Sequence, residues 1–147
     1  MEIVKHFSQI IANIPFNKTL GLQLTEYNND YVVMAFSMKE YLIGNFMQGI
    51  LHGGVISSVL DMAGGAAAML TYASKNANLP LKELAAQLSK ASTVNLYVDF
   101  LRPGKGQAFS VKSFVLRSGK KISVAKMEMQ NETGVLIATG SGTYLLG

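Results

Sequence analysis

One carboxylate stands alone in the most apolar part of this 147-residue chain. Between Glu40 and Lys75, Asp61 is the only formally charged side chain, and its neighbours Leu60 and Met62 are apolar. A carboxylate in such surroundings is costly to keep ionised, and groups of this kind concentrate at functional sites. The structural alternative is an Asp that faces solvent or bonds a neighbouring backbone amide. The residues alone leave both interpretations open for Asp61.

The sequence His52-Gly53-Gly54 lies roughly two helical turns before that aspartate. Glycines at a helix start leave backbone N–H groups unshielded, and these groups have no partner within the helix. The helix dipole adds positive potential, so the Gly53 N–H can stabilise a developing oxyanion. For His52, the residues alone favour an imidazole that is hydrogen-bonded to the backbone over an imidazole that takes part in catalysis.

Composition excludes several classes of function. The chain has no Cys, which rules out disulfides, thiolate zinc sites and a cysteine nucleophile. Its two His, His6 and His52, argue against a His-rich metal site, so we predict no metal. The net charge of +4 without a dense basic run argues against a nucleic-acid groove.

Targeting signals are also weak in this sequence. The first residues lack the uninterrupted apolar core of a signal peptide. Residues 50–73 are apolar enough to raise the question of a membrane span, but Asp61 at their middle would be costly in lipid. We therefore expect no membrane span and a cytoplasmic protein.

Hydrophobic periodicity and turn residues predict the elements. We expect one domain over residues 1–147 with a helix over 1–13 that Pro15 ends, strands over 20–27 and 31–38, a loop over 41–52, a long helix over 53–74, a connection over 75–92 with a short helix, and strands over 93–101, 107–117, 121–131 and 135–146. This order predicts an α+β fold with a largely antiparallel sheet.

Three further expectations follow from these elements. The long helix is apolar on nearly all sides, which predicts that the sheet and a second copy of the chain enclose it. In the strand over 93–101, we expect one face to carry Val94, Leu96, Val98 and Phe100. In the connection over 75–92, an amphipathic face formed by Leu81, Leu84 and Leu88 leads us to expect a cover over an apolar channel.

At the level of whole segments, the chain resembles the hotdog-fold acyl-CoA thioesterases of the PaaI type. The resemblance is most specific in GNFMQGILHGGVISSVLDMAGG and STVNLYVDFLRPG, and it extends to IPFNKTLGLQL, RSGKKISVAKMEM and IATGSGTYLLG. The pattern is most similar to the YigI branch, which is associated with medium- and long-chain acyl-CoA. The resemblance implies a hotdog fold, in which a curved antiparallel sheet wraps a long central helix.

The resemblance also implies roles for individual residues. Asp61 would act as general base on water or as nucleophile on the thioester carbonyl, and the Gly53 N–H would polarise that carbonyl next to His52. Thr93 stands where the family often completes the site. The family also places a polar amide ahead of the two glycines. Two residues fit it loosely, although ordinary loop polarity also explains them: Asn45 and Gln48.

The implied substrate is an acyl-CoA, with CoA as part of the substrate and no separate cofactor. The segment where such enzymes often meet the CoA phosphates corresponds here to Arg117, Gly119, Lys120 and Lys121; without the resemblance, a solvated hairpin tip would explain the lysines. Sites of this fold usually combine residues of two subunits. We therefore expect a homodimer or a tetramer built from two dimers, acting in fatty-acid metabolism.

Two other functions remain as alternatives. A non-catalytic acyl-CoA binding or sensing module on the same fold would bind the ligand without needing Asp61. A hotdog dehydratase or hydratase ranks third, because that chemistry commonly pairs a His with an acid in another arrangement, and His52 directly precedes the two glycines.

Overall fold

The structure is a computed structural model that describes residues 2–147, except for the side chain of Val4. Its helices are α1 (Glu2–Asn13), α2 (Pro15–Leu20), α3 (Gly53–Lys75) and α4 (Leu81–Leu88), with one turn of 3₁₀ helix at Glu40–Leu42. Its strands are β1 (Gln23–Tyr27), β2 (Val32–Ser37), β3 (Ile43–Asn45), β4 (Ile50–Leu51), β5 (Ser92–Phe100), β6 (Ala108–Ser118), β7 (Ile122–Asn131) and β8 (Leu136–Leu145).

Six strands form one antiparallel sheet in the order β1-β2-β6-β7-β8-β5. The short strands β3 and β4 pair separately, just before α3. Alternate residues of β6, β7 and β8 are buried, as expected for a sheet with one face against a core. The α+β architecture with a largely antiparallel sheet is therefore confirmed.

The long helix α3 packs against this sheet because its side chains suit an interior. Large apolar side chains such as Val59 and Leu60 are fully buried in its first half, and small ones such as Ala63, Ala66 and Ala68 are fully buried further along. By length and composition α3 could cross a membrane, but half of its most apolar stretch is buried inside the protein. Its apolar character is accounted for by its place in the core.

Three local predictions needed correction. Pro15 is the first residue of the helix α2, because proline suits the first helical position. Since α2 extends to Leu20, the strand β1 starts at Gln23 rather than at residue 20. The predicted loop over 41–52 contains the 3₁₀ turn and the β3–β4 pair. In β5, a bulge between Thr93 and Asn95 interrupts the expected apolar face.

The apolar side chains of the edge strand β5 are buried to different degrees. Leu96 and Val98 are half-buried, whereas Val94 and Phe100 remain more than half exposed. The same strand carries Tyr97, which is also exposed. This edge thus presents apolar side chains and one open row of backbone hydrogen-bonding groups.

The connection after α3 has the amphipathic character predicted for it. In α4, Leu84 and Leu88 are buried in the core, together with Phe7 and Ile11 of α1, while Leu81 stays about half exposed. The two short helices α1 and α4 lie beside the second half of α3, where they line a common pocket.

Candidate active site

The carboxylate of Asp61 lies in the middle of α3, on the side of the helix that meets β5. It is half-buried, and its Oδ1 accepts a hydrogen bond of 2.9 Å from the Thr93 hydroxyl. Asp61 is thus neither fully exposed nor fully enclosed, and its carboxylate has one hydrogen-bond partner within the described residues. Because the side chain is held yet accessible, it can reach both water and a bound ligand.

Strand β8 makes a second hydrogen bond to Asp61. The buried Tyr144 on β8 is the register partner of Thr93 across the β5–β8 pair, and its hydroxyl donates a 3.0 Å hydrogen bond to the main-chain carbonyl of Asp61. Burial above all, and then the nearby charge of Asp61, raises the pKa of the Tyr144 phenol well above its usual range. Tyr144 is therefore a neutral hydrogen-bond donor at any physiological pH.

Two glycines make room for this hydroxyl. A Cβ atom at Gly64 would overlap the Tyr144 oxygen, and one at Gly142 would lie 2.6 Å from it. Real side chains do not approach this closely, so only glycine lets the ring reach α3. Sequence reasoning missed Tyr144, because a tyrosine in the last strand gives no local signal of contact with a residue 83 positions away.

The start of α3 forms the second part of the candidate site. His52 is the N-cap residue, and its Nδ1 accepts a 2.8 Å hydrogen bond from the Gly54 N–H. This gives the imidazole a capping contact of the kind that its sequence position favoured. Among the hydrogen bonds within residues 2–147, the Gly53 N–H takes part in none, so this donor remains free.

The segment before the helix positions this start. A Cβ atom at Gly44 would lie 2.6 Å from the His52 Cα, so β3 can pass the helix start only with glycine there. Asn45 and Gln48 are both exposed, and the Asn45 side chain accepts from the Gln48 backbone N–H at 3.4 Å. Within one chain, neither amide has a hydrogen bond to the Asp61 carboxylate.

Asp61 and Gly53 of one chain lie too far apart to act on one atom. Eight helical residues separate them, which corresponds to roughly 12 Å along the axis of α3. The Phe100 ring adjoins Gly53 instead, at 3.5 Å from a Cβ built there. The two chemical elements of the site are therefore both present, but each chain holds them at separate places.

The basic residues assigned to CoA lie at the tip of the β6–β7 hairpin. Arg117, Gly119, Lys120 and Lys121 are all exposed and border one recess of about 450 Å³, with Ile122 and Val124 as its apolar floor. The Lys75 Nζ at the end of α3 donates to the Ser118 carbonyl at 3.1 Å. Sequence reasoning missed this additional cation, which lies 43 positions from its partner.

The arrangement suits acyl transfer to water. It offers a held carboxylate, a free backbone N–H at a helix N-terminus and a cluster of cations, which can serve respectively as base or nucleophile, oxyanion donor and anion site. Within residues 2–147 there is no group of three or more His, Asp or Glu residues that could hold a metal ion.

Comparisons with known proteins agree with this chemistry. The family model described as the thioesterase superfamily matches residues 48–138, which include the helix start, Asp61 and Thr93. The medium/long-chain acyl-CoA thioesterase YigI of Escherichia coli is 39% identical over 137 residues, which cover 93% of this chain and 88% of YigI.

Solved structures show the same fold. A Shewanella oneidensis protein described as related to the thioesterase superfamily superposes with a TM-score of 0.95 at 41% identity, covering 99% of this chain and 96% of that one. The Escherichia coli PaaI protein from the phenylacetic acid degradation operon has a TM-score of 0.70 at 20% identity, covers 95% and 88%, and supports the fold alone. The hotdog fold of the PaaI type, expected from the sequence, is thus confirmed.

Proposed function

This chain belongs to the thioesterase superfamily, and from that premise we propose that it hydrolyses acyl-CoA thioesters to free fatty acid and CoA. The observation that carries the proposal is the half-buried Asp61 carboxylate, held by Thr93 on the accessible side of the core helix. We further propose medium- to long-chain esters as substrates, in line with the name of the YigI relative. Each chain is taken to form one domain that comprises residues 1–147.

Two routes use Asp61 differently. As general base, its carboxylate takes a proton from water while the water oxygen attacks the thioester carbonyl carbon. The C–S bond then breaks, and the CoA thiolate recovers the proton from Asp61. As nucleophile, Asp61 itself attacks the carbonyl, expels the thiolate and forms an acyl anhydride that water then cleaves. In both routes the carbonyl oxygen becomes negative and needs a donor.

We assign that donor role to the Gly53 N–H of a second copy of the chain. The separation of roughly 12 Å along α3 prevents a chain from using its own Gly53 with its own Asp61. The proposed interface also has support in the exposed apolar side chains that surround the helix start and the β5 edge, namely Phe46, Met47, Val94, Tyr97 and Phe100. Covering them in a symmetric dimer, alone or paired into a tetramer, would remove this apolar surface from water.

The remaining polar residues receive supporting roles in this proposal. Asn45 or Gln48, on the exposed loop before the helix start, would orient the substrate or the attacking water at the interface. Arg117, Lys120 and Lys121, with the backbone of Gly119 between them, would attract the phosphates of CoA as exposed, salt-sensitive charges. No separate cofactor is required, since a thioester is already activated, and we expect the enzyme to act in the cytoplasm.

The test is thiol release from acyl-CoA esters of increasing length, with Asp61→Asn as the control. We expect turnover by the wild type and a loss on the order of 10²–10⁴-fold in the variant, because a neutral amide can neither accept the proton nor attack. Binding of a non-hydrolysable acyl-CoA analogue should persist in the variant. Binding without turnover of any ester by the wild type would instead support the sensing module.

A further inference from the structure

An apolar pocket lies where α1, α3 and α4 meet, outside the groups that act on the thioester. Its volume is about 240 Å³, and eight of its ten lining residues are apolar. The helix α1 contributes Ile10 and Ile11, α3 contributes Met69, and α4 contributes Leu81 and Ala85. Two of these side chains, Ile10 and Leu81, are 45% and 53% exposed, so the pocket has an apolar rim that is open to solvent.

Met69 places the pocket about two helical turns beyond Asp61 on α3. Gly65 and Met69 follow Asp61 at intervals of four residues, and all three positions are half-buried. Residues spaced by four lie on one side of a helix, and eight residues correspond to about 12 Å. Between Asp61 and Met69, the Tyr144 ring packs against Gly65, at 3.5 Å from the position of a Cβ atom.

The chain from α4 to β5 sets an upper bound on a similar distance. Ser89 borders the pocket at the end of α4, and Thr93, the hydrogen-bond partner of Asp61, follows it by four residues. Four residues span at most about 14 Å even when fully extended. Three backbone bonds advance about 3.3–3.6 Å in an extended chain, so an extended hydrocarbon needs about ten carbons to cover this distance.

We propose that this pocket receives the distal end of the acyl chain and that Ala85 limits the chain length that fits. The inference rests on the proposed acyl-CoA hydrolysis at Asp61. An unbranched hydrocarbon suits a space whose lining is almost entirely apolar, and it would cover the exposed rim formed by Ile10 and Leu81. Each methylene group buried there adds roughly fourfold to binding, so chains that reach the pocket are preferred over shorter ones.

The experiment compares wild type, Ala85→Phe and Ala86→Phe on esters from butanoyl-CoA to hexadecanoyl-CoA. Both alanines are exposed on α4, but only Ala85 borders the pocket, so Ala86→Phe is a matched control. We expect Ala85→Phe to lower kcat/KM for dodecanoyl-CoA roughly tenfold or more, since it displaces at least two methylenes. Its kcat/KM for butanoyl-CoA should stay at the wild-type value, as should every value of Ala86→Phe.

A second variant changes the pocket in the opposite direction. Met69→Ala enlarges it, so we expect the optimum to move toward longer chains. Unchanged length profiles in Ala85→Phe and Met69→Ala, or a loss by Ala85→Phe that is equal for all lengths, would overturn the inference while leaving the proposed hydrolysis intact. If the wild type hydrolyses no ester, the proposed function fails. The affinities of the same esters for wild type and variants, measured by calorimetry, then test the pocket: an unchanged dependence of affinity on chain length would overturn the inference.

Discussion

The two chemical parts of the site differ in how completely one chain builds them. Asp61 is held by residues of two neighbouring strands, with Thr93 on its carboxylate and Tyr144 on its main-chain carbonyl. The Gly53 N–H, by contrast, lies at an open surface beside Phe100, behind a loop whose Phe46 and Met47 are 85% and 83% exposed. The acid is thus held by contacts within one chain, whereas the N–H of Gly53 has no hydrogen-bond partner among residues 2–147.

This difference has a physical reason. A carboxylate that must act repeatedly benefits from a rigid scaffold that fixes its direction, and the β5–β8 pair behind α3 supplies one. An oxyanion donor is a backbone group whose direction the helix itself already fixes. It can therefore lie at an interface and become useful only when a second copy brings its acid.

The largest expected effect at the amide end comes from Gly53→Pro. Proline suits the first helical position and the extended backbone of His52 before it, so the helix should persist while its oxyanion donor is lost. We expect kcat to fall about 10²–10³-fold with the fold intact by circular dichroism. The control is Gly53→Ala, whose Cβ would meet Phe100 at an ordinary 3.5 Å and which keeps the N–H. Equal activity of the two variants would contradict the assigned donor.

At the acid end, Thr93→Val removes the hydroxyl that holds Asp61. A hydrogen bond to a charged group contributes about 1.5–3 kcal/mol, so we expect kcat to fall roughly 10- to 100-fold with little change in KM. Thr93→Ser keeps the hydroxyl and should recover most of the activity. If serine and valine variants behave alike in steady-state kinetics, the hydrogen bond does not position the acid.

A smaller effect is expected from Tyr144→Phe, which keeps the ring between Gly64 and Gly142 but removes its donor. Loss of a neutral hydrogen bond of about 0.5–1.5 kcal/mol should lower kcat several-fold and leave KM unchanged. An equal rise in KM, or no change in kcat, would show that Tyr144 serves the fold alone.

The same variant can be checked through stability at alkaline pH. Burial raises the pKa of Tyr144, so its contribution to the free energy of unfolding is fully present below the ordinary tyrosine pKa of 10.0 and decreases as the pH rises above it. Tyr144→Phe should therefore lose less stability than wild type between neutral and strongly alkaline pH in denaturant titrations. Tyr27 and Tyr31, whose pKa values are also raised, contribute equally in both proteins.

The smallest effect is expected at the tip of the β6–β7 hairpin, away from Asp61 and Gly53. Replacing Lys120 and Lys121 by Ala should raise KM for acyl-CoA a few-fold at low salt, since exposed charges each contribute about 1 kcal/mol or less. The difference from wild type should shrink as salt is added, because the charges are screened. A kcat effect, or a KM effect that is insensitive to salt, would remove the hairpin tip from CoA binding.

The sequence predicted the regular elements well because their signals are local. The six long strands and α3 have clear hydrophobic periodicity and turn residues, so their bounds agree with the structure within a few residues. The β3–β4 pair was missed because its strands have only three and two residues, too few for a pattern. Helix α2 was missed because Pro15 was interpreted as a helix end rather than a helix start.

For the site, the sequence was informative only where chemistry and local pattern coincide. Asp61 was recognisable as a lone charge in an apolar segment, and Gly53 as a glycine at a helix start. Thr93 entered only through the resemblance to a family. Tyr144 and Lys75 gave no signal, because their contacts join residues 83 and 43 positions apart that only the folded sheet brings together.

The central claim, that one active site combines Asp61 of one protomer with Gly53 of its partner, is tested most directly by mixing two inactive variants. Asp61→Asn and Gly53→Pro chains with different affinity tags are co-expressed, and the doubly tagged species is assayed for thiol release. Each hybrid dimer has one intact site out of two, so the doubly tagged dimer should recover about half of the wild-type activity per dimer. Hybrids as inactive as either parent would contradict the shared site.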